Sequence, residues 1–227
     1  LIADIFDVTQ IRACATSAMR EAVNGLEIRD KIAQETDINI EIITGDEEAN
    51  LIFSTFFLLD IDKNAPFIVI DVGGGSTEVS VFENGERIAS KSFNVGTIRI
   101  MKEKTDLNIW SDIHDWLLQH VDLSVVHQIY ATGGNINKTH KILGAAHMEP
   151  LHFSELQTLR DDLAALTFTQ RMNKYQLRPD RADVIIPALD IYLYILKELN
   201  CIEIIVPKIG LSDGMVYNMY QQEIGAI

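Results

Sequence analysis

The chain has 227 residues and carries 19 basic against 33 acidic side chains, a net charge of −14 with histidine neutral. That length can bury a sizeable core in one large or two small domains, whereas the acidic balance argues against nucleic-acid or anionic-membrane binding, which needs a basic face. No apolar run approaches the roughly 20 residues of a membrane span, and Cys14 and Cys201 lack metal-ligand spacing, so we expect a cytoplasmic protein with reduced thiols.

The first quarter of the sequence predicts two short strands, each followed by helical segments. In chain order the pattern predicts a strand over 11–16, helices over 17–24 and 26–36, a strand over 38–43 and a helix from about residue 47. Gly25 is expected to end the first of these helices. The sequence opens with Leu1 and shows no signal-peptide pattern, so we also expect it to begin within a domain.

The middle of the chain predicts an antiparallel meander, because β-branched runs are separated by a glycine turn and by Asn84-Gly85, a hairpin dipeptide. Its strands are expected over 67–71, 77–83 and 87–94, after a linker over 60–66. The later predicted elements are helices over 97–105 and 109–121, a strand over 125–132, a helix from Gly133, one from Ser154 to Thr167, an apolar helix over 181–199, a strand over 202–206 and a helix over 213–222.

The glycine turn of the meander is the most informative segment of the sequence. Its three glycines are Gly73, Gly74 and Gly75, and they let the backbone approach an anion and direct N–H groups at it, with Gly74 expected at positive φ. Ser76 and Thr77 add hydroxyl donors, while Asp71 and Glu78 suit a hard cation such as Mg²⁺. A plain hairpin turn would explain one or two glycines but not the flanking acids and hydroxyls, so the segment predicts a phosphate site.

A second glycine pair, Gly133-Gly134, also follows an apolar strand. Alone it is equally consistent with a simple strand-to-helix turn. Together with the first turn it indicates a phosphate site, because actin-like ATPase folds hold phosphates between two strand-end glycine loops that face a cleft.

Three charged side chains have two interpretations each. Glu47 and Glu48 open a predicted helix, where a carboxylate either complements the helix dipole or, near the glycine turn, takes a proton from water. Arg20 is either a solvated helix residue or a cation that projects from a segment of small residues. The spacing of these residues along the sequence does not decide between the interpretations.

Together these motifs resemble the exopolyphosphatase and guanosine pentaphosphate phosphohydrolase family of the actin-like phosphotransferase superfamily. The segments that carry the resemblance are 15–22, 43–52, 69–78, 131–134, 178–185 and 211–214. The resemblance implies an α/β, actin-like (ribonuclease H-like) two-lobed fold with mixed sheets. Residues 1–46 would form a partial first lobe, truncated at its N-terminus and closed by a helix over 211–227, and residues 47–210 the second lobe.

The resemblance also implies a role for each site residue. Glu48 matches the catalytic base, and Asp71 matches a carboxylate that orients water or metal. The remaining matches are Arg20 as a phosphate contact, Gly73, Gly74, Gly75, Ser76 and Thr77 as the phosphate cradle, Glu78 as a second metal-side acid with Asp71, and Gly133 and Gly134 as the second phosphate loop.

The implied activity is hydrolysis of a phosphoanhydride, with Glu48-activated water and Mg²⁺ releasing terminal phosphate from polyphosphate, guanosine pentaphosphate or both. Two alternatives stay open: a nucleotide-dependent kinase or chaperone-type ATPase on the same fold, and a non-catalytic phosphate or alarmone sensor. The choice of substrate is also open, since the basic groupings near motif positions are few, namely Lys138, His140, Lys141, Arg178 and Arg181. We expect no nucleic-acid or membrane partner, and we expect that the protein can form a homodimer. The family's opening hairpin, which carries another phosphate loop, has no counterpart in this sequence, so we expect little activity from residues 1–227 alone.

Overall fold

A four-stranded mixed sheet organises the structure, a computed structural model that describes residues 5–225 apart from the Phe57 side chain. Its strands are β3 (Phe67–Val72), β4 (Thr77–Glu83), β5 (Glu86–Phe93) and β6 (Gln128–Thr132), in the order β5-β4-β3-β6. Strands β3, β4 and β5 form the predicted antiparallel meander, and β6 lies parallel to β3. The sheet is therefore mixed, as the family resemblance implied.

The sheet is covered on both faces at β3, which explains why this strand is almost continuously apolar. Ile68 and Ile70 face the larger hydrophobic core, in which the long helix α10 (Ile185–Glu198) packs. Phe67 and Val69, which alternate with them, face a smaller aromatic cluster. Packing on both sides of β3 thus fixes the position of the turn that follows this strand.

Two further two-stranded sheets flank the central one within the described residues. Strands β1 (Ala13–Ala15) and β2 (Ile40–Ile42) pair in parallel, and β7 (Leu151–His152) and β8 (Glu203–Ile204) pair antiparallel. The other helices are α1 (Ser17–Arg20), α2 (Gly25–Thr36), α3 (Gly45–Ser54), α4 (Thr97–Met101), α5 (Ile109–His120), α6 (Gly134–Leu143), α7 (Phe153–Ala164), α8 (Phe168–Tyr175), α9 (Pro179–Ala182) and α11 (Leu211–Glu223), with a 3₁₀ turn at Thr55–Leu58.

Several predicted helix boundaries were wrong, and local capping explains two of them. Helix α3 begins at Gly45 and not near Glu47, because Thr44 and Glu47 form a capping box in which each bonds the other's backbone N–H. Thr167 does not end the helix from Ser154; it caps α8, which the sequence analysis missed. Gly25 starts α2 and does not end a long first helix, since α1 is a single turn.

The last helix packs against α3, the helix that carries Glu48. A Cβ atom at Gly214 of α11 would lie 1.8 Å from the backbone oxygen of Leu51 in α3, so only glycine permits this approach. The division into lobes at residue 46 stays a prediction. Within residues 5–225 no helix is long and apolar enough to cross a membrane.

Candidate active site

The glycine turn connects two antiparallel strands so that its flanking acids become neighbours. Asp71 at the end of β3 lies directly opposite Glu78 at the start of β4. Residues opposite each other in an antiparallel pair point to the same face, so both carboxylates project from one side of the sheet. The turn between them is closed by a hydrogen bond of 3.0 Å from the Gly73 N–H to the Ser76 carbonyl.

Glu48 reaches the same place from a different element. Helix α3 packs on strands β4 and β5, and the ring of its Phe53 stacks on Phe82 with centroids 4.1 Å apart. This packing buries Glu48, which is only 8% exposed, and brings one oxygen each of Glu48, Asp71 and Glu78 within 4.8 Å of one another. The structure therefore brings together the three acids that the sequence analysis singled out.

The two adjacent glutamates have different environments. Glu47 is exposed, and its carboxylate accepts hydrogen bonds from the backbone N–H and the hydroxyl of Thr44, which lower its pKa. Glu48 faces the carboxylate cluster. Glu47 thus caps the start of α3, and Glu48 is the glutamate that is placed to act as a base or a metal ligand.

Burial and like charge make the cluster hard to ionise. Burial, followed by repulsion from Glu78 and Asp71, raises the pKa of Glu48 to about 8. Burial and then Glu78 raise the pKa of Asp71 to about 7, and burial also raises the pKa of Glu78. Glu48 and Asp71 therefore hold protons near neutral pH unless positive charge is placed beside them.

A hard divalent cation fits this donor set. Oxygen ligands from carboxylates are what Mg²⁺ and Ca²⁺ take in proteins, and the three acids are the one such group within the described chain. The buried Oε2 atom of Glu48 accepts no hydrogen bond, and Arg20 Nη1 is 3.7 Å away, beyond hydrogen-bond distance. A cation would satisfy that atom and offset the repulsion.

The glycine turn also borders a cavity of about 310 Å³, whose lining includes Glu48, the turn itself and α4. Glycine is needed here for close packing, because a Cβ on Gly75 would lie 2.2 Å from the Ser17 hydroxyl. The expectation of a positive φ at Gly74 was wrong, since the positive-φ glycines of the described chain lie elsewhere. The turn takes its shape from its neighbours α1 and α4.

Both glycine turns contribute to a second cavity, of about 670 Å³. Gly73 and Asp71 line it on one side, and Gly133 and Gly134 line it as well. The structure thus places the two turns around one space, as the sequence analysis expected. Gly73 borders both cavities.

Two predicted phosphate contacts are engaged within the fold. Thr77 is fully buried, and its hydroxyl donates to the carbonyl of Val95 at 2.7 Å, so its single proton is used. Arg20 donates from Nη1 to the carbonyl of Ile43 at 2.6 Å, beside Glu48. This changes the role we assign to the Thr77 side chain, which stabilises the turn, whereas Arg20 still has further N–H donors.

Three cations that line the cavity beside the glycine turn were not predicted from the sequence. Arg99, Lys102 and Lys104 line the smaller cavity, while Arg181, which it named, approaches the second turn and bonds Asn135 at 3.2 Å. Three cations within six residues were visible in the sequence. Their position over the turn depends on how α4 folds back, which no local pattern indicates.

Fold and site together define an α/β protein that holds three carboxylates beside a glycine turn of the kind that binds phosphate. Comparison with known families makes this more specific. The chain belongs to the Ppx/GppA phosphatase family, whose family model matches residues 1–223. The family predicted from the sequence is therefore confirmed.

Two curated relatives show how far the likeness extends. The chain is 29% identical over 196 residues to a bifunctional 3-dehydroquinate synthase/phosphatase of Fusobacterium nucleatum, covering 76% of this chain and 29% of that protein. It is 28% identical over 205 residues to exopolyphosphatase 2 of Mycobacterium tuberculosis, covering 78% of this chain and 63% of the relative. The chain thus spans less than two thirds of either relative.

Solved structures support the fold. The exopolyphosphatase of Cytophaga hutchinsonii superposes with a TM-score of 0.78 at 23% identity, over 96% of this chain and 77% of that one. A Ppx/GppA enzyme of Aquifex aeolicus gives a TM-score of 0.75 at 22% identity, over 96% and 78%. The predicted α/β fold with mixed sheets is confirmed by these likenesses.

Proposed function

We propose that the protein hydrolyses a phosphoanhydride bond and releases the terminal phosphate of inorganic polyphosphate, guanosine pentaphosphate or both. The observation that carries the proposal is the cluster of Glu48, Asp71 and Glu78 beside the glycine turn, with carboxylate oxygens within 4.8 Å of one another. Family membership supports a phosphatase, and one relative is an exopolyphosphatase.

In this proposal Glu48 is the general base. Its carboxylate takes a proton from water while the water oxygen attacks the terminal phosphorus, and the bond from that phosphorus to the bridging oxygen breaks. Orthophosphate leaves, and the rest of the substrate is one phosphate shorter. A base must be ionised, and Glu48, with its pKa near 8, requires positive charge nearby to be so at neutral pH.

Mg²⁺, held by Asp71 and Glu78, would supply that positive charge and neutralise part of the substrate's negative charge. The chain supplies the other donors. The N–H groups of Gly74, Gly75 and Ser76 make no backbone hydrogen bonds within residues 5–225, so they are available to phosphate oxygens. Arg20, next to Glu48, adds a fixed cation.

The test is phosphate release by the whole protein that contains this chain. Long-chain polyphosphate and guanosine pentaphosphate are each incubated with Mg²⁺ or with a chelator, and orthophosphate is measured. We expect Mg²⁺-dependent release from at least one substrate. Binding without release would favour a phosphate sensor, and phosphate transfer from ATP to an added acceptor would favour a kinase; either result contradicts the proposal.

A further inference from the structure

Helix α4 is attached to the glycine turn at one end and carries lysines at the other. The backbone N–H groups of Thr97 and Ile98 donate to the carbonyls of Gly73 and Gly74, at 3.1 and 2.9 Å. These bonds fix the start of α4 against the turn. The position of the far end of the helix, one and a half turns away, is therefore set relative to the turn as well.

The far end is closed by a Schellman motif. The N–H of Lys104 bonds the carbonyl of Arg99, and the N–H of Glu103 bonds that of Ile100, both at 3.0 Å. Glu103 takes the left-handed conformation that such a motif needs, with φ of 51°. The motif reverses the chain between Lys102 and Lys104, and both residues line the cavity beside Glu48.

Lys102 and Lys104 are cationic residues of the cavity lining that form no ion pair within residues 5–225. Arg99 lines the cavity too, but it pairs with Glu21 and donates from Nε to the carbonyl of Gly75 at 2.9 Å. Lys102 and Lys104 are exposed, and neither has an ion-pair partner within the described chain. In a protein of net charge −14, two unpaired lysines that line one cavity give its wall a local positive charge, which attracts anions.

We propose that Lys102 and Lys104 form a subsite for the phosphates that follow the reacting one, and so favour long linear substrates over short ones. The inference rests on the proposed function, which puts the terminal phosphate beside Glu48 and the glycine turn. The rest of a linear chain then occupies the same cavity of about 310 Å³ and meets both ammonium groups at its wall. A substrate of only a few phosphates ends before it gains both contacts.

The test compares two double variants with the wild type. Lys102→Gln/Lys104→Gln removes the subsite, and Lys31→Gln/Lys197→Gln removes the same charge from exposed positions that do not line the cavity. The readout is kcat/KM for long-chain polyphosphate divided by kcat/KM for tripolyphosphate. We expect the subsite variant to lower this ratio about 3- to 10-fold and the control variant to leave it near the wild-type value.

Equilibrium binding of long-chain polyphosphate, measured at several salt concentrations, gives a readout that does not need turnover. The subsite variant should bind more weakly, with a smaller salt dependence than the wild type and the control. If the wild type hydrolyses polyphosphate but both double variants keep its ratio and its binding, the subsite is refuted and the function stands. If the wild type binds without hydrolysis and only the subsite variant binds less, the function fails and the subsite stands. Absence of binding by the wild type overturns both.

Discussion

At the scale of single residues, one step along a helix decides what a carboxylate can do. Glu47 faces outward and is stabilised as an anion by Thr44. Glu48 faces inward, and its pKa rises to about 8 because it is buried beside Asp71 and Glu78. Burial of this carboxylate thus makes its charged form costly unless positive charge lies nearby.

The pH dependence of stability follows from this. Groups with a raised pKa bind protons more tightly in the folded state than in the unfolded state, so their stabilising effect is full below the unfolded pKa and is lost as pH rises. For Glu48 the window runs from 4.5 to about 8. Without divalent cations, the free energy of unfolding should therefore fall as pH rises through this window.

Glu48→Gln should reduce that fall. At pH 8 the variant avoids a buried charge, so we expect its free energy of unfolding to exceed that of the wild type by about 1–2 kcal/mol, with little difference at pH 5. Urea denaturation in a chelator measures both values, and Glu47→Gln is the matched control. A variant less stable than the wild type at pH 8 would contradict this account of the cluster.

Binding of a divalent cation should reverse the same repulsion. Because Glu48 and Asp71 hold protons near neutral pH, Mg²⁺ binding at pH 7 should release protons and raise the Tm. Calorimetry in buffers of different ionisation enthalpy measures the protons released, and thermal unfolding measures the Tm. Asp71→Asn should show a smaller response. An equal rise of the Tm in both proteins would place the cation elsewhere.

At the scale of elements, the site depends on how α3 is held. The helix lies between the central sheet and α11, and the contact with α11 requires the glycine at position 214, because any Cβ there would meet the backbone of Leu51. Glu48 is one turn from Leu51 on the same helix. The packing of α11 against α3 therefore helps to fix the position of Glu48, the candidate base.

Gly214→Val tests that dependence. The added side chain must push α11 away from α3, which should cost about 1–3 kcal/mol of stability and lower turnover through the displacement of Glu48. Gly210→Ala is the control, since nothing lies within 4 Å of a Cβ at that position. Denaturation and phosphate release are measured for both. Wild-type stability of Gly214→Val would show that the two helices do not pack as described.

Elements with strong local signals could be predicted from the sequence, whereas those set by tertiary packing could not. The meander was predictable because alternating strands flank Asn84-Gly85, which takes positive φ at both positions. Helix α8 was missed because Thr167, which caps its start, was assigned to the end of the preceding helix. The sequence pattern singled out Glu47 and Glu48 equally. Their different environments arise only from the packing of α3 on the sheet, which buries Glu48 and leaves Glu47 exposed. For Lys102 and Lys104, nothing local indicates that they lie beside the glycine turn.

At the scale of the whole molecule, the candidate site lies where separate parts of the chain meet. The sheet provides Asp71 and Glu78, α3 provides Glu48, and the segment around α1 provides Arg20. A strongly acidic protein cannot attract a polyanion from a distance, so local donors must supply the binding. The expectation that residues 1–227 alone are nearly inactive stays a prediction.

Turnover of two isosteric variants tests most directly whether Glu48 is the base of a phosphoanhydride hydrolase, as we propose. Glu48→Gln and Glu47→Gln change neighbouring residues by the same single charge, and glutamine at position 47 can still complete the capping box. With Mg²⁺ and polyphosphate, we expect turnover of Glu48→Gln to fall about 10²- to 10⁴-fold while Glu47→Gln stays near the wild type. Near wild-type turnover of Glu48→Gln, in a folded protein, would contradict the account.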